Sequence, residues 1–292
     1  MSGDSGGPTD PSLDRRFDRP IMIVSSPRSG STLLFETLEK APDLYSIGSE
    51  SHVIIESLPG FHPADREWHS NRLTAEDART ESARRFTDNF YGSLRDRDGC
   101  QPAGPVRILE KTPKNSLRVP FFDALWPDAL FVYLYRDARE TLASMMEAWA
   151  SGYFRTYPRL PGWTGYQWSL LLVPGWERLR GLPLPAVVAH QWSIATNILL
   201  DDLERLPSDR LRVIDHARFL AAPDAAVTAL TRSLELGWDR ELGVELPLSK
   251  TTVSKPRPDK WRRLEPAINQ VWPIVDATDA RARAFVGAAA TG

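Results

Sequence analysis

The chain has 292 residues, 42% hydrophobic and 25% charged, a composition that fits one large α/β domain or two smaller ones. The net charge of −2 excludes a general nucleic-acid binder, so local groups of Arg and Lys have to meet any anionic ligand. A single cysteine, Cys100, excludes an internal disulfide and fits a reducing compartment. With no signal pattern and no apolar stretch of ~20 residues, we expect a cytoplasmic protein without a membrane segment.

Short apolar runs alternate with helical patterns between residues 19 and 277. Strands are predicted at Ile21–Val24, Arg107–Glu110, Leu130–Tyr135 and Leu211–Ile214. Helices are predicted at 31–40, 75–96, 138–150, 188–206 and 222–235. Strands that alternate with helices indicate a single α/β domain, in which helices flank a central parallel sheet.

Three segments do not follow this alternation. Residues 1–18 are poor in apolar side chains, which predicts a disordered tail, and the Ala-rich end, 278–292, is expected to be a fraying helix or a second tail. Residues 152–187 are rich in Pro, Gly and aromatic side chains and predict an irregular cap. Its aromatic residues either form an apolar wall around a bound substrate or simply pin down the irregular segment.

The loop that follows the first strand predicts an anion-binding site. Ser25–Thr32 carries Arg28, Gly30 and several hydroxyls, and an apolar helix pattern follows at once. Backbone N–H groups and the positive end of a helix dipole favour anions at such a place. The loop lacks the spacing of a nucleoside triphosphatase or a dinucleotide-binding motif. The alternative is a helix capped by Ser29 or Ser31, with Arg28 in solvent.

Two further cations follow strands. Lys111 comes after the second predicted strand, and Arg136 comes after the third, with Ser144 two turns into the next helix. Because ligands of open α/β sheets bind beyond the carboxyl ends of strands, we expect these side chains to gather with Arg28 around a ligand with several negative charges. A single cation at such a place usually meets only solvent or an acidic neighbour.

These motifs resemble those of the sulfotransferases that use 3′-phosphoadenosine 5′-phosphosulfate. Pro27–Thr32 resembles their 5′-phosphosulfate loop, and Arg136 with Ser144 resembles their 3′-phosphate site. The resemblance implies a P-loop-like nucleotide-binding fold. The chain departs from the branch that acts on small molecules, since Arg28 replaces a Lys of that loop and no His follows Lys111-Thr112. It is more similar to the tyrosylprotein and carbohydrate sulfotransferases.

The resemblance also implies roles for individual residues. Glu50, in Gly48-Ser49-Glu50-Ser51-His52, occupies the position of the catalytic base, with His52 as its rival. A salt bridge from Glu50 to Arg28 or Lys111 is the structural alternative. Arg28 and Lys111 would neutralise charge on the sulfuryl group and the bridging oxygen. The 5′-phosphate would be cradled by Ser29, Gly30, Ser31 and Thr32, and the 3′-phosphate held by Arg136 and Ser144.

A basic stretch, residues 249–262, is either a loop over the nucleotide, with Lys255 or Lys260 near the 3′-phosphate, or an exposed charged loop. We expect no metal, and we treat His190 and His216 as structural and Asp137 and Asp215 as caps of helices or turns.

The resemblance thus implies an enzyme that moves a sulfuryl group to a hydroxyl of a small molecule or glycan, with adenosine 3′,5′-bisphosphate as the second product. Two alternatives remain open, a nucleotide-dependent kinase and a catalytically inactive nucleotide-binding protein. The sequence names neither the acceptor nor the oligomeric state.

Overall fold

The structure of the protein is a computed structural model that describes residues 14–243, 246–250 and 259–289. In chain order the strands and helices are β1 (Ile21–Val24), α1 (Ser31–Leu38), β2 (Leu44–Tyr45), α2 (His52–Glu56), α3 (Glu81–Ser93), β3 (Arg107–Lys111), α4 (Val119–Leu125), β4 (Leu130–Tyr135), α5 (Ala138–Ser151), β5 (Arg155–Tyr157), β6 (Trp168–Ser169), α6 (Leu184–Leu203), β7 (Leu211–Asp215), α7 (His216–Ala221), α8 (Pro223–Ser233) and α9 (Glu265–Ala289).

A five-stranded sheet forms the centre of the domain, in the order β2-β3-β1-β4-β7, and all its strand pairs are parallel. Ile21 of β1 pairs with Leu109 on one side and Leu130 on the other. The carboxyl ends of the central strands therefore lie at one edge. This arrangement confirms the predicted α/β class.

Helices cover both faces of the sheet, which explains why β1 and β4 consist only of buried residues. Ile21 and Ile23 pack on the face that α1 and α8 cover, whereas Met22 packs on the opposite face with α3, α4 and α6. A strand that is apolar on both faces gives a continuous hydrophobic run, and this run made both strands predictable.

The first chain end differs from the expectation, whereas the last one follows one of its two alternatives, a helix. Phe17 is buried, bridges to Val106 and packs 4.9 Å from the Trp126 ring, so the fold begins before residue 19. At the other end, α9 continues to Ala289, and Thr278 and Ala282 are buried, so residues 278–289 are helix and not a separate tail. The rest of both predicted tails, 1–13 and 290–292, lies outside the described residues.

The cap comprises residues 152–183, because α6 begins at Leu184, within the segment predicted as irregular. Its only paired strands among the described residues, β5 and β6, are antiparallel. Four indoles pack against one another, mostly edge to face, with ring centroids 4.8–6.2 Å apart: Trp149 of α5 and Trp163, Trp168 and Trp176 of the cap. Most aromatic residues of the cap thus hold it together, while Tyr153 and Phe154 line a cleft.

Candidate active site

A cleft of about 640 Å³ opens at the carboxyl edge of the sheet. Its walls come from the β1–α1 loop (residues 25–30), α5, the cap and the segments 246–249 and 260–261. This is the place where parallel α/β sheets bind ligands. Arg28 and Arg136, which the sequence predicts to gather, line the same cleft.

The β1–α1 loop has a backbone that suits glycine at one position. Gly30 has φ +90°, and a Cβ there would lie 2.5 Å from Cδ2 of His216, so no side chain fits. The adjoining residues Ser31 and Thr32 begin α1 and line the cleft. The first N–H groups of a helix lack partners within it, so this turn can bind an anion.

Ser29, predicted to be part of the phosphate cradle, does not line the cleft. Its side chain is buried, and its Oγ lies 2.8 Å from Oγ of Ser26. This hydroxyl braces the loop internally, so Gly30, Ser31 and Thr32 are the members of the predicted phosphate cradle that line the cleft.

Two guanidinium groups lie along one wall. The Nε of Arg28 donates to Oγ of Ser144 at 3.3 Å, and its guanidinium lies 4.6 Å from the centre of the Phe154 ring. Arg136 donates to the carbonyl oxygen of Arg28 at 2.9 Å. Burial, together with the charge of Arg136, lowers the pKa of Arg28. An anion bound here would relieve the repulsion between the two cations.

Carboxylates of α5 balance the cations of the cleft. Arg136 pairs with Glu140 at 3.0 Å, and Nζ of Lys260 lies 2.5 Å from Glu147. Lys260 lies on a short 3-10 helix, Lys260–Leu264, and lines the cleft. This position is compatible with a loop over the nucleotide, one of the two interpretations of the basic stretch. Lys255 lies outside the described residues.

Lys111 lies behind the cleft instead of lining it. Its side chain is only 3% exposed, and its Nζ lies 2.7 Å from Oε1 of Glu50 and 3.2 Å from Oγ1 of Thr32. It faces a neighbouring pocket of about 330 Å³, which shares Thr32, Glu50 and His52 with the cleft. The salt bridge between Glu50 and Lys111, expected as the structural alternative, is present.

Glu50 lies at the boundary of the two cavities. Burial by itself would raise its pKa, but His52 and Lys111 outweigh burial and lower the pKa to about 2. The side chain is therefore a carboxylate at neutral pH. Nδ1 of His52 lies 3.3 Å from Oε2 of Glu50, without the alignment of a hydrogen bond, so we treat the contact as electrostatic.

A fully buried carboxylate holds the segment that carries Glu50. Glu110 accepts hydrogen bonds from the hydroxyls of Ser51 and Thr112, at 2.5 and 2.7 Å, and from the amide of Asn115 at 2.9 Å. The backbone N–H of Ser51 also donates to Thr112. Burial raises the pKa of Glu110. The network fixes the chain directly beside Glu50.

A second buried group of charges joins the cap to the body of the domain, and we call it the anchor cluster: Asn71, Glu56, Lys114, Arg118 and Tyr157. Glu56 accepts from Lys114 at 2.7 Å and from Arg118 at 2.9 Å. The Tyr157 hydroxyl, on the cap, accepts from Asn71 and from Lys114. Burial lowers the pKa of Lys114 to about 8.

From the sequence, His216 is expected to be structural, and the anchor cluster is not predicted. His216 lines the cleft and directly follows β7, just as Arg136 directly follows β4, so the rule of strand ends could have found it. Burial and the charge of Arg136 lower its pKa to about 3, which keeps the ring neutral. The predicted caps are present, since Asp137 accepts from the N–H of Arg139 and Asp215 from that of Arg218.

Two searches over the described ranges give negative findings. Within residues 14–243, 246–250 and 259–289, no group of three or more His, Cys, Asp or Glu side chains could hold a metal ion. In the same part of the chain, no helix combines the length and the apolar character needed to cross a bilayer.

Two nematode proteins are similar to this chain. A putative protein-tyrosine sulfotransferase of Caenorhabditis briggsae is 28% identical over 134 residues, which are 45% of this chain and 44% of the relative. Protein-tyrosine sulfotransferase A of Caenorhabditis elegans is 22% identical over 222 residues, 75% of this chain and 50% of the relative. The chain thus spans about half the length of these curated relatives.

Solved structures of bacterial sulfotransferases superpose loosely. One from Alicyclobacillus acidocaldarius is 18% identical, with a TM-score of 0.46 over 92% of this chain and 96% of its own. One from Mycobacterium tuberculosis H37Rv is 17% identical, with a TM-score of 0.47 over 77% of this chain and 69% of its own. Family membership rests instead on sequence. The sequence model of the Sulfotransferase family matches residues 20–240, well over half of the chain, and the chain therefore belongs to the sulfotransferase family.

Proposed function

We propose that the protein transfers a sulfuryl group from 3′-phosphoadenosine 5′-phosphosulfate to a hydroxyl group of a small molecule or glycan. One observation carries the proposal: Arg28, Arg136 and the first turn of α1 line a single cleft, and Glu50 lies at its boundary. A donor with two phosphate groups and a sulfuryl group needs several separated cations, and these residues supply them.

Each residue of the cleft has a role in binding the donor. Gly30, Ser31 and Thr32 offer backbone N–H groups and hydroxyls to the 5′-phosphate. Arg136 and Ser144 bind the 3′-phosphate, and Lys260 adds a second cation to that end. Since Glu140 and Glu147 now pair with Arg136 and Lys260, donor binding exchanges these partners for phosphate oxygens.

Arg28 and Lys111 stabilise charge during the transfer. The Arg28 guanidinium lies in the cleft. Lys111 lies behind the cleft and acts on the reacting centre through Thr32 and Glu50, which its Nζ contacts. Fixed cations that face developing negative charge are among the strongest contributions to catalysis, because they need no reorganisation.

Glu50 serves as the base. The acceptor O–H bond breaks, its electron pair forms the bond to sulfur, and the sulfur–oxygen bond to the 5′-phosphate breaks. The proton goes to the Glu50 carboxylate, and adenosine 3′,5′-bisphosphate leaves. The ionised state of Glu50 supports this role, although a carboxylate with so low a pKa is a weak base.

The acceptor would approach from the cap. Tyr153, Phe154 and Thr156 of the cap line the cleft together with His52 and Lys114. The aromatic side chains favour an acceptor with a ring or another apolar surface. Because the two relatives are named protein-tyrosine sulfotransferases, tyrosine peptides belong in the panel of acceptors. The free thiol of Cys100 suits our placement of the protein in the cytoplasm.

Two measurements test the proposal. Calorimetry in EDTA should show adenosine 3′,5′-bisphosphate binding more tightly than ADP, and radiolabelled donor should transfer its label to some of a panel of phenols, alkyl alcohols, sugars and tyrosine peptides. Tighter, magnesium-dependent binding of ADP would favour a kinase. Tight bisphosphate binding without any transfer would indicate an inactive nucleotide-binding protein.

A further inference from the structure

His52 has a buried ring nitrogen, Nδ1, beside the proposed base, and the proposed function gives this atom no role. Its ring lines both the cleft and the neighbouring pocket. Nδ1 is buried and, within the described residues, has no hydrogen-bond partner. Nevertheless it lies 3.3 Å from Oε2 of Glu50. Burying a polar atom without a hydrogen-bond partner costs free energy. A state of the site in which Nδ1 has a partner is therefore favourable.

The two oxygens of Glu50 have different surroundings. Oε1 accepts a hydrogen bond from Lys111, whose Nζ is also held by Thr32. Oε2 faces the imidazole. A proton on Oε2 would convert its contact with Nδ1 into an O–H···N hydrogen bond. The protonated state of Glu50 thus gives the unpartnered nitrogen a donor.

We propose that Glu50 and His52 form a proton relay, in which the proton from the acceptor hydroxyl reaches Glu50 and passes from Oε2 to Nδ1 of His52. This inference rests on the proposed function. The acceptor oxygen forms its bond to sulfur as it loses the proton, and the electron pair of the broken sulfur–oxygen bond stays on the phosphate. His52 ends the step as an imidazolium, which releases a proton to solvent before the next turnover.

The relay supplies basicity that a carboxylate lacks. Unperturbed glutamate and imidazole differ by about two pKa units, and the rate of general base catalysis rises with the basicity of the final proton acceptor. The charged groups around the ring fit the step. The carboxylates of Glu50 and Glu56 act on His52 directly, while Lys111 and Lys114 lie beyond them, each paired with one of these carboxylates.

Chemical rescue tests the relay. In His52→Ala we expect kcat to fall by about ten- to a hundredfold, with the affinity for adenosine 3′,5′-bisphosphate unchanged. Free imidazole in the buffer should restore part of the rate, increasingly as its neutral fraction grows with pH. Glu50→Gln should not respond to imidazole. His69→Ala removes an exposed histidine and serves as the matched control, with the kcat of the unaltered protein.

The pH profile gives a second readout. The kcat of the unaltered protein should fall on acidification, because a protonated ring cannot accept the proton, and His52→Ala without imidazole should lack this limb. An unchanged kcat in His52→Ala would overturn the relay, as would a loss that imidazole does not relieve while bisphosphate binding and melting temperature stay normal. If the unaltered protein transfers no label in the same assay, the proposed function itself fails.

Discussion

Two groups of charged side chains, the anchor cluster and the ion pairs of the cleft, use the same residue types in opposite ways. In the anchor cluster, Lys114 and Arg118 pair with Glu56, and the three side chains are only 7%, 0% and 10% exposed. In the cleft, Arg136 and Lys260 pair with Glu140 and Glu147, and these four side chains are 20–36% exposed.

The difference in burial separates a structural role, in the anchor cluster, from a ligand-binding role, in the cleft. Loss of one partner in the anchor cluster would leave an uncompensated charge in a dry environment, so these pairs are permanent. In the cleft, water screens the pairs, and the phosphate oxygens of the proposed donor can replace the carboxylates at low cost. The pair of Glu50 and Lys111 lies between these extremes, since Lys111 is buried and Glu50 faces the cleft.

The largest effect is expected for this intermediate pair. Glu50→Gln keeps the shape of the side chain but accepts no proton, so kcat should fall by about 10²- to 10⁴-fold. The affinity for adenosine 3′,5′-bisphosphate should change little, because Glu50 lies outside the predicted phosphate sites. Steady-state kinetics and calorimetry on one preparation measure both. Turnover close to that of the unaltered protein would eliminate Glu50 as the base.

A change in the anchor cluster should affect stability. Glu56→Gln leaves two buried cations without a carboxylate, and we expect the free energy of unfolding to drop by about 3–5 kcal/mol. Glu81→Gln is the matched control, because Glu81 pairs with Arg84 on the surface, where such a pair contributes about 0–1 kcal/mol. Urea denaturation compares the two variants. Equal losses would show that burial does not distinguish the anchor cluster from a surface pair.

The reverse pattern is expected in the cleft. Arg136→Ala removes charge-assisted hydrogen bonds worth about 1.5–3 kcal/mol, so bisphosphate affinity should fall by roughly ten- to a hundredfold. The melting temperature should stay near that of the unaltered protein. Arg84→Ala, at an exposed site of α3, controls for the loss of one positive charge. A variant that melts early but binds normally would contradict the assignment of Arg136 to the ligand.

The smallest effect concerns pH. Burial lowers the pKa of Lys114 to about 8, so between pH 8 and the ordinary lysine range the unfolded chain holds a proton that the folded chain has released. Unfolding then takes up a proton, and stability should rise with pH over this window, by at most about 1.4 kcal/mol per pH unit. Denaturation at pH 7.5–9.5 should show this rise in the unaltered protein and not in Lys114→Met. Parallel curves for the two proteins would refute it.

Local patterns in the sequence predicted the centre of the fold. β1 and β4 were predictable because burial on both faces requires continuous apolar runs. β2 has two residues, too few to show a period, and α9 contains Pro273, which interrupts the helical pattern. The predicted helix at 75–96 is shorter in the structure, Glu81–Ser93, with Thr80 as its cap.

The candidate site also has parts that the sequence predicts and parts that it does not. Arg28 and Arg136 follow strands directly, so their meeting was predictable from the parallel topology. The burial of Lys111 behind Glu50 depends on how the segment after β2 folds back, which no local pattern encodes. The anchor cluster joins residues near positions 56, 71, 114 and 157, and only the finished tertiary structure brings them together.

The packed indoles of the cap have a practical consequence. Rings as close as those of Trp149, Trp163, Trp168 and Trp176 exchange excitation energy and couple their electronic transitions, so they should give a strong near-ultraviolet circular dichroism signal. Any loosening of the cap would separate the chromophores and weaken that signal. The protein therefore carries an intrinsic optical reporter, with which cap movements during ligand binding can be followed without an attached dye.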